Sequence, residues 1–125
     1  MNEQPVRLGR ISRNVEKAVG KDFGADIWVY VRNEELDHLA RSWPTSYLTR
    51  LEESGRIIKN PDYVAYDEKK KILYFIKEYF HEGIFKKVVL SLQDDIQWHF
   101  LDLAVLNEAI LSKILSESPL KRVNS

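Results

Sequence analysis

The chain contains no cysteine among its 125 residues. This absence excludes disulfide bonds, thiolate nucleophiles and cysteine-based zinc sites. No apolar run approaches the ~18 residues that a membrane-spanning helix needs, and the N-terminal stretch MNEQPVRLGR lacks the apolar core of a signal peptide. We therefore expect a cytoplasmic protein that does not enter a membrane, although a protein injected by another route would have the same features.

An excess of charge of one sign is also missing. The 19 basic and 19 acidic residues give a formal net charge of +0, whereas a dedicated nucleic-acid binder often has a clear basic excess. This balance argues mildly against such a binder but leaves room for a local basic patch. The hydrophobic content of 44% and the charged content of 30% are typical of a globular protein. We expect a single domain over residues 1–125, with a core at about 8–116 and flexible ends.

Apolar residues at helical spacing predict several helices. The first spans residues 11–19, with Ser12 as its N-cap and Gly20 as its stop. Asn33 is expected to cap a helix over 34–41. A further helix begins after Thr45 or Ser46, runs through Leu51 and ends at Gly55, and a last one covers 106–115. Residues 1–10 are polar and are expected to be loose.

Runs of β-branched and aromatic residues predict five strands, at 26–32, 63–66, 71–80, 85–93 and 96–103. The last four strands are joined by short polar connections, which is typical of antiparallel hairpins. The order predicts an α+β fold in which N-terminal helices pack on one face of an antiparallel meander and a C-terminal helix closes the domain.

Four segments occur in an order and at a spacing that resemble one nuclease family. They are LGRIS at 8–12 with VG at 19–20, DHLAR at 37–41, IIKNPDYV at 57–64, and ILYFIK at 72–77 followed by VVL at 88–90. Together they resemble the phage-encoded Barnase–EndoU–ColicinE5/D–RelE-like nucleases (the PBECR group). The resemblance covers about residues 8–103 and implies a BECR-like (barnase- and RelE-like) fold with a curved antiparallel sheet. It also implies a helix-borne histidine at His38 and a strand lysine at Lys77.

Two positions depart from the pattern of that family. The last strand has Trp98-His99-Phe100-Leu101 where the family usually has Ser or Thr, and Trp43 stands near the place of a second histidine. These departures indicate either altered chemistry or a copy of the fold that has lost activity.

Metal-independent RNA cleavage needs a base, an acid and positive charge at the phosphorane. Lys77 shares a strand face with Phe75 and Tyr79, so it is a candidate for phosphate stabilisation beside an aromatic that stacks on a base. The alternative is an edge-strand lysine whose stem covers apolar surface while its amine reaches water.

Two histidines are candidates for proton transfer. His38 has Arg41 at i+3 and Glu34 at i−4, so it is either an acid or base beside a phosphate-binding arginine or a surface histidine paired with Glu34. His99 lines a groove with Ser91 if the polar faces of the last two strands coincide, and otherwise it is structural. Since the histidines lack His-x-x-x-His spacing and no phosphate-binding glycine loop occurs, we expect no metal and no cofactor.

Our leading hypothesis is a small, toxin-like, metal-independent endoribonuclease, associated with phages or mobile elements and acting on RNA such as tRNA. Its partners would include an immunity or antitoxin protein and a second copy of the chain. The alternative is a non-catalytic protein-binding module on the same scaffold, with a partner docked on Trp28 or on the helix at 106–115. The predicted site residues are His38, Lys77 and His99 as catalytic groups and Arg41, Tyr79 and Ser91 as substrate-binding groups.

Overall fold

The computed structural model describes residues 6–20, 28–79, 82–93, 97–107, 109, 112–113 and 121–123. The helices and strands with described bounds are, in chain order, β1 (Val6–Arg10), α1 (Arg13–Val19), β2 (Trp28–Val31), α2 (Asn33–Ser42), α3 (Tyr47–Lys59), β3 (Tyr63–Asp67), β4 (Ile72–Tyr79), β5 (Ile84–Gln93), β6 (Gln97–Leu106) and β7 (Lys121–Arg122).

The strands form a seven-stranded sheet in the order β1-β2-β6-β5-β4-β3-β7. All neighbours are antiparallel except β2 and β6, which are parallel. The predicted meander is present as β3 to β6, and the α+β class is confirmed. The expectation that residues 1–10 are loose is wrong for Val6–Arg10, because β2 offers this polar segment a strand to pair with.

One face of the sheet, which we call the helix-packed face, carries the hydrophobic core. Alternate residues of the strands meet there with apolar residues of the helices. The core consists of Ile11, Val15, Val29, Val31, Leu39, Leu51, Ile57, Ile58, Val64, Leu73, Phe75, Val88, Leu90, Trp98, Phe100 and Leu103. Helix α3 contacts β1, β4 and β5, and α2 packs on α3. The other face of the sheet, which we call the opposite face, carries side chains such as Tyr30, Tyr74 and His99.

The caps of α1 are those that the sequence predicts, although the helix begins at Arg13 rather than at Ile11. The Val15 N–H donates to the Ser12 hydroxyl at 3.4 Å, and Gly20 closes the helix in the left-handed region at φ 69°. The predicted cap of α2 is wrong by one residue. Asn33 is already helical, the N-cap is Arg32, and the Glu35 carboxylate accepts the Arg32 N–H at 3.0 Å.

Helix α3 continues through Gly55 to Lys59, so the prediction that Gly55 ends it is wrong. A Cβ at Gly55 would lie 2.8 Å from the carbonyl oxygen of Leu8. The glycine therefore serves close packing of α3 against β1 rather than helix termination. The helix ends at Asn60, immediately before Pro61, as the restriction on residues that precede proline favours.

Strand β6 is longer than predicted and contains a bulge. It extends to Leu106, so the predicted helix at 106–115 does not begin there. Ala109, Ser112 and Lys113 are helical, and half of that segment lies outside the described residues. The pairing of β5 with β6 shifts between Val89 and Leu90, which leaves Leu101 as the additional residue of β6. None of the helices in the described ranges is long and apolar enough to span a membrane.

The close approach of α3 to β1 predicts that Gly55→Ala destabilises the protein. Helix propensity alone would favour alanine by about 1 kcal/mol, but the new methyl group meets the Leu8 backbone, and such overpacking costs about 1–3 kcal/mol. Urea denaturation measures the free energy of unfolding. Thr49→Ala, at an exposed position of the same helix, is the control and is expected to be neutral or slightly stabilising. A Gly55→Ala protein more stable than the parent would contradict the packing argument.

Candidate functional site

The six predicted site residues lie in three separate places. His38 and Arg41 are exposed on α2. Lys77 and Tyr79 share the helix-packed face of β4, as their alternation predicts. Ser91 and His99 are direct register partners on β5 and β6. Ser91 also pairs with Ile72, whose side chain points to the other side of β4 from that of Lys77. Lys77 and His99 are therefore separated by the sheet.

The sequence leaves open whether Ser91 and His99 share a face, and their pairing across β5 and β6 shows that they do. Both are buried, with 9% and 4% of their surfaces exposed, and the Tyr30 ring lies 6.2 Å from the His99 ring. A side chain so buried cannot reach a bound ribose without rearrangement. The geometry therefore fits the structural interpretation of His99 better than the catalytic one.

His38 is not joined to the other predicted groups. Within the described ranges, no hydrogen bond or ion pair links it to Glu34, Arg41 or Lys77. The Arg41 Nε donates to the carbonyl of Asp37 one turn earlier at 3.3 Å. The two α2 residues therefore contribute exposed polar groups rather than an assembled site.

Lys77 completes the turn that joins α3 to β3. Its Nζ lies 3.5 Å from Asp62 Oδ1 and donates to the Asn60 carbonyl at 3.2 Å. The second carboxylate oxygen of Asp62 accepts the Glu78 N–H at 2.9 Å, and the Asp62 N–H donates to the Ile76 carbonyl at 2.9 Å. The Asn-Pro-Asp segment thus fastens the start of β3 to β4, and Lys77 is bound to that segment by charge and hydrogen bond.

A second carboxylate holds the neighbouring lysine. Lys86 lies directly opposite Lys77 in the β4–β5 register, and its Nζ is 2.8 Å from each carboxylate oxygen of Glu53 on α3. The Tyr79 hydroxyl donates to the same carboxylate at 3.2 Å, and the Lys86 ammonium lies 5.2 Å from the centre of the Tyr79 ring. We call Glu53, Asp62, Lys77, Tyr79 and Lys86 the α3–sheet cluster.

The α3–sheet cluster remains accessible from solvent and has an altered proton affinity. The side chains of Lys86 and Glu53 are 20% and 26% exposed. Burial, followed by the charge of Glu53 and the hydrogen bond to it, raises the pKa of Tyr79 to about 12. The phenol therefore stays protonated at neutral pH and acts as a donor. Arg50 and Arg56 lie three residues before and after Glu53, which places both within one helical turn of the carboxylate.

The cluster combines the carboxylates of Glu53 and Asp62, which can accept a proton, with a phenol that can donate one. Its two ammonium groups can neutralise an anion. Among the described residues, no group of three or more His, Cys, Asp or Glu side chains is arranged to hold a metal ion. The sequence led to Lys77 and Tyr79 but missed Glu53. The sequence feature that indicates Glu53 is the helical spacing of Leu51, Ser54 and Ile58. This spacing predicts that α3 continues beyond Gly55 and that Glu53 lies next to the buried side of the helix.

Comparison of the chain with protein-family models, with curated proteins and with solved structures gives no match. The resemblance of the four sequence segments to phage-encoded nucleases therefore stays a prediction from the sequence, and the functional argument depends on the geometry of the cluster.

The contact between Tyr79 and Glu53 predicts a late phenol titration in the folded protein. Ultraviolet absorbance of tyrosinate should show one group that ionises near pH 12 and that is missing in Tyr79→Phe. Glu53→Gln removes the negative charge and should lower the pKa of Tyr79, though not fully to the ordinary value of about 10, because burial is the larger cause.

The same shift gives the pH dependence of stability. Since the folded pKa of Tyr79 lies above the unfolded one, its contribution is complete below pH about 10 and is lost as the pH rises towards about 12. Urea denaturation across this range should show a smaller loss of stability in Tyr79→Phe than in the parent. An equal loss in both proteins would contradict the assignment.

Proposed function

We propose that the chain is a metal-independent endoribonuclease and that the α3–sheet cluster is its catalytic centre. The observation that carries the proposal is the single carboxylate of Glu53 bound by both Lys86 and Tyr79, with Lys77 opposite Lys86 on the same sheet face. This set supplies the groups that phosphodiester transfer requires without a metal ion.

The proposed reaction is attack of the ribose 2′-oxygen on the adjacent phosphorus, which breaks the bond to the 5′-oxygen. The Glu53 carboxylate accepts the proton of the 2′-hydroxyl. Lys77 and Lys86 neutralise the additional negative charge of the phosphorane, and the protonated Tyr79 phenol gives its proton to the leaving 5′-oxygen. The products are a 2′,3′-cyclic phosphate and a 5′-hydroxyl, and a proton returns from Glu53 to Tyr79 through solvent.

The ion pairs of the free protein are compatible with this role. In a mostly buried ion pair such as Glu53–Lys86, the cost of desolvation offsets much of the Coulombic attraction, so an RNA phosphate, which also carries negative charge, can replace the carboxylate as partner of Lys86. Displacement of Lys86 frees Glu53 to accept a proton. His99 and Ser91 have no part in this mechanism because they lie on the opposite face. Among the residues that the structure describes, no hydrogen bond or ion pair links His38 to the cluster.

A second candidate is the non-catalytic protein-binding module. The observation that favours it is the neutralisation of both lysines, because Lys77 and Lys86 each already have a carboxylate partner. In that case the α3–sheet cluster only fastens α3 and the β3 turn to the sheet. The two candidates differ in what Glu53→Gln does, since a fastening role affects stability whereas a catalytic role affects turnover.

Cleavage of a mixed RNA pool by the purified protein in the presence of EDTA tests the proposal. Glu53→Gln is expected to lower the rate by a factor of about 10²–10⁴, the usual contribution of a general base. Lys77→Ala is expected to lower the rate as well, and His38→Ala is expected to retain it. Glu52→Gln is the matched control, because Glu52 is an exposed glutamate of the same helix that pairs with Arg56.

Each variant is compared with the parent in thermal unfolding, so that loss of turnover is separated from loss of fold. Detection of the 2′,3′-cyclic phosphate identifies the chemistry. Absence of cleavage by the parent protein, or a Glu53→Gln protein that cleaves as fast as Glu52→Gln, would rule out the proposed centre.

A further inference from the structure

Trp43 is an exposed aromatic residue that is nevertheless held in place. It lies at the end of α2, and 46% of its surface is exposed. Its carbonyl accepts the N–H groups of Ser46 at 3.1 Å and Tyr47 at 2.9 Å, which fixes the backbone. The guanidinium of Arg50 lies 4.2 Å from the centre of the ring, and its Nη2 donates to the Leu103 carbonyl at 2.7 Å. The indole is therefore supported by an arginine that is itself bound to β6.

This arrangement differs from that of an ordinary exposed apolar side chain. A single exposed hydrophobic residue needs no explanation, but a tryptophan in contact with a fixed guanidinium forms a flat, prearranged surface. Planar arginine and aromatic groups are the surfaces on which unstacked bases lie in proteins that bind single-stranded nucleic acid. The class of ligand that fits best is a planar π system attached to negative charge.

Arg50, which contacts the Trp43 ring, is connected to the α3–sheet cluster through two elements, α3 and β6. Along α3, Arg50 precedes Glu53 by three residues, a rise of about 4.5 Å. Along β6, Leu103 precedes Val105 by two residues, and Val105 lies directly opposite Lys86. Leu103, which holds the ring support, and Lys86 are thus two residues apart along the sheet and one strand apart across it, which separates their backbones by roughly 8 Å. A nucleotide whose phosphate is at Lys86 has its neighbouring base within reach of Trp43.

We propose that Trp43, supported by Arg50, is a stacking platform for an unpaired base next to the phosphate at Lys86, and that the substrate class is single-stranded RNA. This inference deepens the proposed function and rests on its site. Stacking is tolerant of base identity, whereas bases within a duplex are not free to stack on a side chain. The platform therefore selects unpaired regions rather than a sequence.

Binding is measured in a Glu53→Gln background, so that cleavage does not consume the probe. The probe is a fluorescently labelled oligoadenylate, and the same oligonucleotide annealed to its complement is the duplex control. Trp43→Leu is expected to bind the single strand about 5- to 100-fold more weakly than the Glu53→Gln parent. Trp43→Phe, which keeps an aromatic ring of similar width, is expected to retain most of the affinity. Binding of the duplex should be weaker and insensitive to either change.

Leu48→Ala is the matched control for loss of an exposed apolar side chain, because Leu48 is 64% exposed on the first turn of α3. It is expected to leave the affinity unchanged. Equal affinities of Trp43→Leu and Trp43→Phe would overturn the platform, and so would absence of single-strand binding by the Glu53→Gln parent. Sedimentation of the parent and of Trp43→Leu at several concentrations tests whether a second copy of the chain, rather than RNA, binds at Trp43. A dimer that Trp43→Leu dissociates, with unchanged RNA affinity, would assign Trp43 to self-association.

The outcomes also separate this inference from the proposed function. If the parent does not cleave RNA but single-strand binding depends on Trp43, the platform stands and the nuclease proposal fails. If the parent cleaves RNA and Trp43→Leu leaves both KM and the affinity unchanged, the nuclease stands and the platform fails. A platform for substrate predicts that Trp43→Leu raises KM for single-stranded RNA more than it lowers kcat.

Discussion

Helix α3 is held against the sheet by contacts on two of its sides. Gly55 and Glu53 are two residues apart, so they point about 200° apart around the helix axis. Gly55 lets the helix lie against the backbone of β1, whereas Glu53 reaches β4 and β5 through Tyr79 and Lys86. The close approach on one side and the polar contact on the other fix both the rotation of α3 and its distance from the sheet.

The two sides of α3 differ in what they contribute. Leu51, Ile57 and Ile58 are buried in the core, and burial of such side chains contributes about 1.5–3 kcal/mol each. In the mostly buried ion pair of Glu53 and Lys86, the cost of desolvation offsets much of the Coulombic attraction, so the net contribution of the pair to stability is small. The fold therefore does not require the carboxylate for most of its stability. A carboxylate that the core does not need, and that contacts the Lys86 ammonium and the Tyr79 hydroxyl, is available for binding or chemistry.

The sequence predicts local features of this fold well and tertiary ones poorly. Alternation and short polar connections predict the β3–β6 meander, and Ser12 and Gly20 mark the ends of α1 because caps act over one turn. The local sequence around Gly55 does not predict that the helix continues through it, because the Leu8 carbonyl that requires a glycine there is distant in sequence. The sequence does not predict strand β1 for a related reason, since this segment becomes a strand only when β2 is available to pair with it.

The same distinction applies to the candidate site. Alternation within β4 correctly places Lys77 and Tyr79 on one face. The sequence leaves open whether the polar faces of the last two strands coincide, and the register of β5 and β6 pairs Ser91 with His99. Which face α3 covers is not encoded in either strand, so sequence patterns did not show that these two pairs lie on different sides of the sheet. The sequence does not predict a role for Glu53 for the same reason. Its partners Tyr79 and Lys86 lie 26 and 33 residues further along the chain.

The structure gives a physical reason for the two places where the sequence departs from the nuclease pattern. Trp98 and Phe100, which occupy the strand where that family usually has Ser or Thr, are 2% and 1% exposed. This part of β6 therefore supplies core volume, and hydroxyl groups there would lose packing. Trp43 stands near the place of the family's second histidine. Its ring is exposed and contacts Arg50, which lies on α3 three residues before Glu53. In the proposed mechanism, the proton-transferring groups therefore lie on α3 and β4 rather than on α2 and β6. A large aromatic side chain at position 43 is compatible with that shift, because the cluster requires no histidine there.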